Sequence, residues 1–153
     1  MYNYDEITFK TSIGNIQLVA KNKEIVLIQF TTKKVKQCNL ALLNKAKKQI
    51  EEYIVGQRKL FDIKINPEGT KFQKTVWKKL CKIPYGKTVS YLKLANSLNT
   101  SPRAIGNACG KNPLLIVIPC HRVLSIKKEL TGFSALGGII TKKKLLKIEN
   151  IKI

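Results

Sequence analysis

The sequence predicts an α+β fold in two parts. Alternating apolar residues fill the first thirty positions, helix-spaced apolar residues dominate beyond position 70, and a polar breaker cluster, Asn66-Pro67-Glu68-Gly69, separates the two. The boundary falls there, giving an N-terminal α/β unit over 1–66 and a mainly helical C-terminal unit over 67–153. At 153 residues and 44% hydrophobic content, the chain can build one ordinary core or two small ones sharing an interface.

Ile7 and Phe9, then Ile16, Leu18 and Ala20, then the run Ile25 to Phe30 read as three strands, with turn signals at Ser12-Ile13-Gly14 and Lys21-Asn22-Lys23. From Asn39 the spacing becomes helical, with Leu43, Ala46, Ile50 and Ile54 on one face and Gly56 as the stop. Phe61 to Ile65 reads as a further short strand. The second unit opens with a helix whose Phe72, Val76, Trp77 and Leu80 are core positions, closed by Pro84 and Gly86. Ser90 to Leu98 is a short helix, Asn99-Thr100 a turn, and Ser101 an N-cap. Pro102 follows at the first helical position, where its missing N–H costs nothing. The next helix runs to about Cys109 and stops at Gly110, so the pair matches a helix-turn-helix. Many helical hairpins bind nothing, however. Leu114 to Ile118 should be buried and delivers Pro119-Cys120-His121-Arg122 at its end; a final helix packs Leu145 and Leu146 inward, with Glu149 in its last turn.

Twenty-nine Lys plus Arg against nine Asp plus Glu give a formal charge of +20. Polyanions are the obvious partners, although a lysine-rich surface serving solubility or reflecting biased codon usage would give the same excess. The first residues carry no basic start followed by an apolar stretch, and no apolar run approaches the roughly 18 residues of a membrane helix. A soluble, cytoplasmic protein (nucleoid-associated in a prokaryote) with no membrane partner is expected. Cys38, Cys81, Cys109 and Cys120 form no Cys-x-x-Cys pair, and a single histidine excludes the two-Cys, two-His zinc arrangement, so no metal is expected. Reduced thiols are expected, three of them small buried hydrophobes.

A free thiol is only about 3% ionised at neutral pH, so a reactive cysteine needs a neighbouring base or cation. His121 adjoins Cys120, but sequence neighbours often point apart, and a bridging water could close the gap. An imidazole base also needs its second nitrogen held, usually by a carboxylate. Glu149 lies on an apolar helix that must pack near Cys120; a solvated C-terminal glutamate is the competing reading.

Ile118-Pro-Cys-His-Arg-Val123, preceded by Arg103-Ala-Ile-Gly106 and Asn112-Pro113, strongly resembles the O6-alkylguanine-DNA alkyltransferases. The likeness extends from Gly69-Thr-Lys-Phe-Gln73 through Val76-Trp77, Ile83-Pro-Tyr-Gly86 and Ser90-Tyr91 to Gly132-Phe133-Ser134, Leu145-Leu146 and Glu149. The first half is similar to the family more weakly, chiefly in Ile13-Gly14 and the strand pattern. The resemblance implies a ribonuclease-H-like N-terminal sheet with its helix, and a winged-helix-like C-terminal unit carrying the helix-turn-helix.

It also implies a DNA-repair reaction. The partner would be double-stranded DNA containing O6-alkylguanine, and O4-alkylthymine would also be accepted. The damaged base flips out of the stack, and its alkyl group passes irreversibly to Cys120, once per molecule, without cofactor and with a monomeric protein. By the same resemblance His121 is the water-mediated base, Glu149 its orienting carboxylate, Asn112 a brace, and Tyr91 the proton donor to the leaving purine. Arg103 is the finger holding the stack open, on a recognition helix that presents Ser101, Pro102, Ala104 and Gly106 to the minor groove. Val123 and Ser134 would offer backbone contacts to the base, with Phe133 beside them. Only three arginines occur, so a planar guanidinium at Arg103 stands out from the lysine background. Some relatives have tyrosine at Phe133, and the segment 133–138 is two residues longer than in members with Tyr-Ser-Gly-Gly, which bears on the alkyl groups admitted.

Three rivals remain at this point. A binding-only relative would replace the acceptor cysteine, typically with tryptophan. An architectural DNA-binding module would merely bury Cys120 and His121. A cysteine hydrolase or redox switch would need a small-molecule pocket or a nearby resolving cysteine.

Overall fold

A computed structural model describes residues 4–130 and 133–153. Of the motif residues above, Gly132 lies outside the described residues, as do the first three residues.

The meander forms as expected: β1 (Tyr4–Phe9), β2 (Asn15–Lys21) and β3 (Glu24–Thr31) make an antiparallel sheet in the order β1-β2-β3. Ile7 pairs with Leu18 and Leu18 with Ile28, so one face carries their apolar side chains inward. Helix α1 (Ala41–Ile54) packs on that sheet and buries Leu43, Ala46, Gln49, Ile50 and Tyr53. This corrects the expected stripe at its end. Tyr53, not Ile54, is fully buried, because the helix continues its 3-4-3 spacing from Ile50.

Phe61 to Ile65 is not a strand. Only Ile65 bridges β3, with Ile25 N–H donating to Lys64 O (2.9 Å) and Asn66 N–H to Ile25 O (2.9 Å). The rest of that β3 edge is taken by the second half: Ile28 N–H donates to Pro113 O (2.9 Å) and Leu115 N–H to Ile28 O (3.1 Å). Two short pieces thus share the edge, cover it, and tie the apolar segment before Cys120 to the sheet.

Helix α2 (Lys71–Leu80) starts at a capping box, in which Thr70 Oγ1 accepts from Gln73 N–H and Gln73 Oε1 accepts from Thr70 N–H. Val76, Trp77 and Leu80 are buried, but Phe72 is 40% exposed and so is not a core position. It shares a surface cleft with Ala104, Gly106 and Gly110, residues too small to cover its ring. Trp77 Nε1 donates to Ala108 O (2.9 Å), fixing α2 against the helix-turn-helix. Helix α3 (Tyr91–Ser97) is capped by Ser90, which the sequence pattern places inside the helix, and α4 (Pro102–Gly110) is capped by Ser101 as anticipated. The short strands β4 (Val89–Ser90) and β5 (Val123–Leu124) pair in parallel, joining the start of α3 to the chain just after Cys120.

Leu114 to Ile118 is buried except at Val117, and turns rather than extending, with Ile116 at φ 74°. A single 3-10 turn, Cys120–Arg122, ends it, and α5 (Gly138–Ile148) packs back with Thr141, Lys142, Leu145 and Leu146 inward. Of the three cysteines expected to be buried, Cys38 and Cys109 are half-buried and Cys81 is exposed. Among the described residues, no helix is long and apolar enough to cross a membrane.

Candidate active site

The 3-10 turn buries three consecutive side chains, Cys120, His121 and Arg122, and delivers them to the C-terminus of α5. There Glu149, the residue after the helix, is 2% exposed. Its Oε2 lies 2.5 Å from His121 Nε2, so the expected pair forms and the solvated-glutamate reading fails.

The carboxylate is held on every side. Arg122 Nε donates to Oε1 (2.8 Å) and Nη2 to Oε2 (3.1 Å), while Nη1 donates to Ile83 O (2.7 Å). Gly86 N–H reaches Oε1 at 3.0 Å, which its left-handed φ of 78° allows. The Tyr53 hydroxyl donates to Oε2 at 2.5 Å and stands 3.3 Å from His121 Nε2. Burial works to raise the Glu149 pKa, but His121, Arg122 and Tyr53 outweigh it and hold the group down at about 2.

That anion fixes the histidine. An ionised carboxylate can only accept, so Nε2 carries the proton, and burial lowers the imidazole pKa and keeps the ring neutral. The lone pair therefore sits on Nδ1, which is buried and has no hydrogen-bond partner among the described residues.

Asn112 folds the chain between α4 and the cysteine: its Oδ1 accepts from Leu114 N–H (2.9 Å) and its Nδ2 donates to Ile118 O (2.8 Å). Burial pushes the Cys120 thiol pKa up, opposed by the Asn112 amide and by the Lys142 ammonium. The sulfur is thus a protonated thiol at rest, not a standing thiolate. Lys142 is fully buried on α5, donating to Val123 O (2.8 Å) and lying 3.5 Å from the Tyr91 hydroxyl. Burial lowers its own pKa.

Tyr91 lines an open cleft of about 590 Å³ together with Pro102, Arg103, Gly106, Ser125 and Ile126. Arg103 is exposed at its rim. Ala104 and Gly106 also line the adjoining cleft that holds Ser134, whose hydroxyl donates to Gly110 O (3.0 Å). Ser101 spends its hydroxyl on the α4 cap, accepting from Ala104 N–H at 3.1 Å. Phe133 packs half-buried against the core, and Val123 is buried with its carbonyl on Lys142. The sequence-picked residues thus form two groups, one around Cys120 and one around the clefts of α4, with Lys142 between them. Among the described residues, no group of three or more His, Cys, Asp and Glu side chains is placed to hold a metal ion.

Sequence reasoning missed Tyr53, Arg122 and Lys142. Lys142 carried a readable signal, because it lies seven residues before Glu149 and four before Leu146, on the face that must be buried.

Comparison with known proteins gives a consistent result. The sequence model of the 6-O-methylguanine DNA methyltransferase DNA-binding domain matches residues 71–151, and that of the same family's ribonuclease-like domain matches residues 6–67. The methylated-DNA–protein-cysteine methyltransferase of Methanosarcina acetivorans is 37% identical over 150 residues, covering 92% of this chain and 95% of its own. The crystal structure of the Mycobacterium tuberculosis O6-methylguanine methyltransferase aligns with a TM-score of 0.85 at 32% identity, covering 96% of this chain and 93% of that one. The structure of that Mycobacterium protein in complex with DNA aligns with a TM-score of 0.84 at 33% identity, over 94% and 91% of the two chains.

Proposed function

Because this chain belongs to the 6-O-methylguanine DNA methyltransferase family, we propose that it repairs O6-alkylguanine in duplex DNA by moving the alkyl group to the Cys120 sulfur. The observation that carries this reading is the buried pair of Glu149 with His121, the residue next to Cys120, which leaves the His121 Nδ1 lone pair buried and without a partner among the described residues. An architectural protein would have no use for an ionised carboxylate and a neutral imidazole held in the core, where burial of charge is costly.

The chemistry follows from that arrangement. The thiol proton passes to His121 Nδ1 through a bridging water, and Glu149 stabilises the imidazolium formed. The sulfur attacks the alkyl carbon in line with the C–O6 bond, so the S–C bond forms as the C–O bond breaks. Guanine leaves as an anion, and the Tyr91 hydroxyl, beside the Lys142 ammonium, gives it a proton. The product thioether has no route back to thiol, so each molecule acts once.

An in-line approach needs the base outside the helix. The flipped nucleotide enters the cleft at Tyr91, Arg103 fills the gap it leaves, and α4 offers Ser101, Pro102, Ala104 and Gly106 to the minor groove. Lysines supply sequence-independent phosphate contacts. Val123, Phe133 and Ser134 border the base, and O4-alkylthymine is a second substrate. The protein works as a monomer in the cytoplasm, on the nucleoid in a prokaryote. Residues 1–66 form its N-terminal domain and 67–153 its DNA-binding and acceptor domain, a division supported by the family matches to 6–67 and 71–151.

The test is stoichiometric. Protein mixed with a duplex bearing one O6-methylguanine should gain a single methyl per chain and stop, whatever the excess of DNA. Binding without a mass change would favour a recognition-only protein.

A further inference from the structure

Among the described residues of the first 66, Tyr53 is the one that hydrogen-bonds into the Cys120 site. It sits near the end of α1, fully buried, with its ring against Phe61 (centroids 5.6 Å apart) and edge-on to Tyr85 (6.1 Å, 86°). Those rings fix where its hydroxyl points: at Glu149 Oε2, the same oxygen that accepts from His121 Nε2. Tyr53 and His121 therefore share Oε2 with Arg122 Nη2, while Arg122 Nε and Gly86 N–H engage Oε1.

We propose that Tyr53 is a positioning residue of the acceptor site, through which the N-terminal unit sets the basicity of the His121–Glu149 pair and so makes the site incomplete without that unit. This rests on the reading of Cys120 as acceptor. The physical argument concerns how hard the carboxylate pulls on the imidazole. Each donor spreads the carboxylate's charge and weakens its preference for an imidazolium over a neutral ring. With Tyr53 in place, His121 stays neutral and ready to take a proton. Without the hydroxyl, Oε2 has only His121 and Arg122 as donors, the imidazolium is favoured, and the base is occupied up to a higher pH than in the wild type. Burial and the Glu149 charge push the phenol pKa far upward, so the hydroxyl remains a donor throughout the working range. A tyrosine kept only for packing would not need this bond, since its ring contacts lie on Phe61 and Tyr85.

The discriminating variant is Tyr53→Phe, which keeps the ring and removes the oxygen. Alkylation of Cys120 by free O6-benzylguanine, which needs no DNA, is followed across pH for wild type, Tyr53→Phe and Tyr53→Leu. The same proteins are examined by nitrogen-15 NMR, where the single histidine makes the imidazole signals unambiguous. In Tyr53→Phe the acid limb of the rate profile should move up by about one pH unit, with the rate recovering at alkaline pH and the His121 titration moving in step. Tyr53→Leu should add a loss of stability to the same shift. An unmoved limb and an unmoved His121 titration in Tyr53→Phe would overturn the proposal, even if Tyr53→Leu is slow. If no variant is alkylated at any pH, by O6-benzylguanine or by O6-methylguanine in duplex DNA, the acceptor reading itself fails, and the NMR titration still decides whether Tyr53 controls His121.

Discussion

Arg122 grips both oxygens of Glu149, with Nε on Oε1 and Nη2 on Oε2, so the residue two places after Cys120 holds the carboxylate that is paired with the residue between them. The acceptor turn and the end of α5 are thereby locked as one piece. Removing the carboxylate leaves a buried guanidinium without its partner. Glu149→Ala should lower stability by about 3–5 kcal/mol, measured by urea unfolding, and slow alkylation of the remaining folded protein by about 100-fold or more. Wild-type stability in this variant would mean that the ion pair is solvated in solution.

The same cluster sets a pH dependence of stability. His121 is held neutral by burial, with its folded pKa below the ordinary 6.5, and the folded Glu149 pKa of about 2 lies below its ordinary 4.5. In both cases the unfolded chain binds more protons in the window between the two values, so stability rises with pH there. Full stability is expected above 6.5. Loss should begin as pH falls below 6.5, and a second loss should set in below 4.5, continuing towards 2. Thermal unfolding in matched buffers checks this, and His121→Gln should remove the upper step and shrink the lower one, because His121 is foremost among the groups that hold Glu149 down.

Lys142 is placed to favour the Cys120 thiolate and to assist Tyr91. Lys142→Met keeps the length and loses the charge. It should slow alkylation by about 10-fold or more, and move the alkaline rise of the rate to higher pH because burial then acts on the thiol unopposed. A rate profile of unchanged shape would assign Lys142 to structure alone, through its bond to Val123 O.

Arg103 is exposed and lines the Tyr91 cleft, of which Cys120 is not a lining residue. Arg103→Ala should slow repair in duplex DNA by about 10-fold or more while leaving the reaction with free O6-benzylguanine nearly unchanged. Equal losses on both substrates would refute a role in holding the flipped base out.

Much of this was legible in the sequence where a single period governs a segment. The alternation from Ile7 to Phe30 gave the meander, and Ser101-Pro102 gave the start of α4, because strand pleating and N-cap chemistry are local. The Cys120–His121–Glu149 group was legible as a candidate from the apolar helix that had to pack near Cys120, and the family resemblance implied it. Contacts between the two halves were not. Phe61–Ile65 has strand composition but no free edge to pair along, since Pro113 to Leu115 occupies β3 beyond Ile25. Phe72 has core spacing but faces the small residues of α4. Tyr53 reads as one more apolar helix position until α1 is docked, when its hydroxyl meets a carboxylate 96 residues away.

The mass of the Cys120 peptide decides whether Cys120 accepts the alkyl group. After incubation with duplex DNA containing O6-methylguanine, digestion should yield the peptide carrying Cys120 with one added methyl, fragmentation should place it on sulfur, and Cys120→Ala should remain unmodified while still binding the duplex. An unmodified Cys120 in wild-type protein whose DNA has lost the methyl group, or a methyl found on Cys81 or Cys109, would contradict the account.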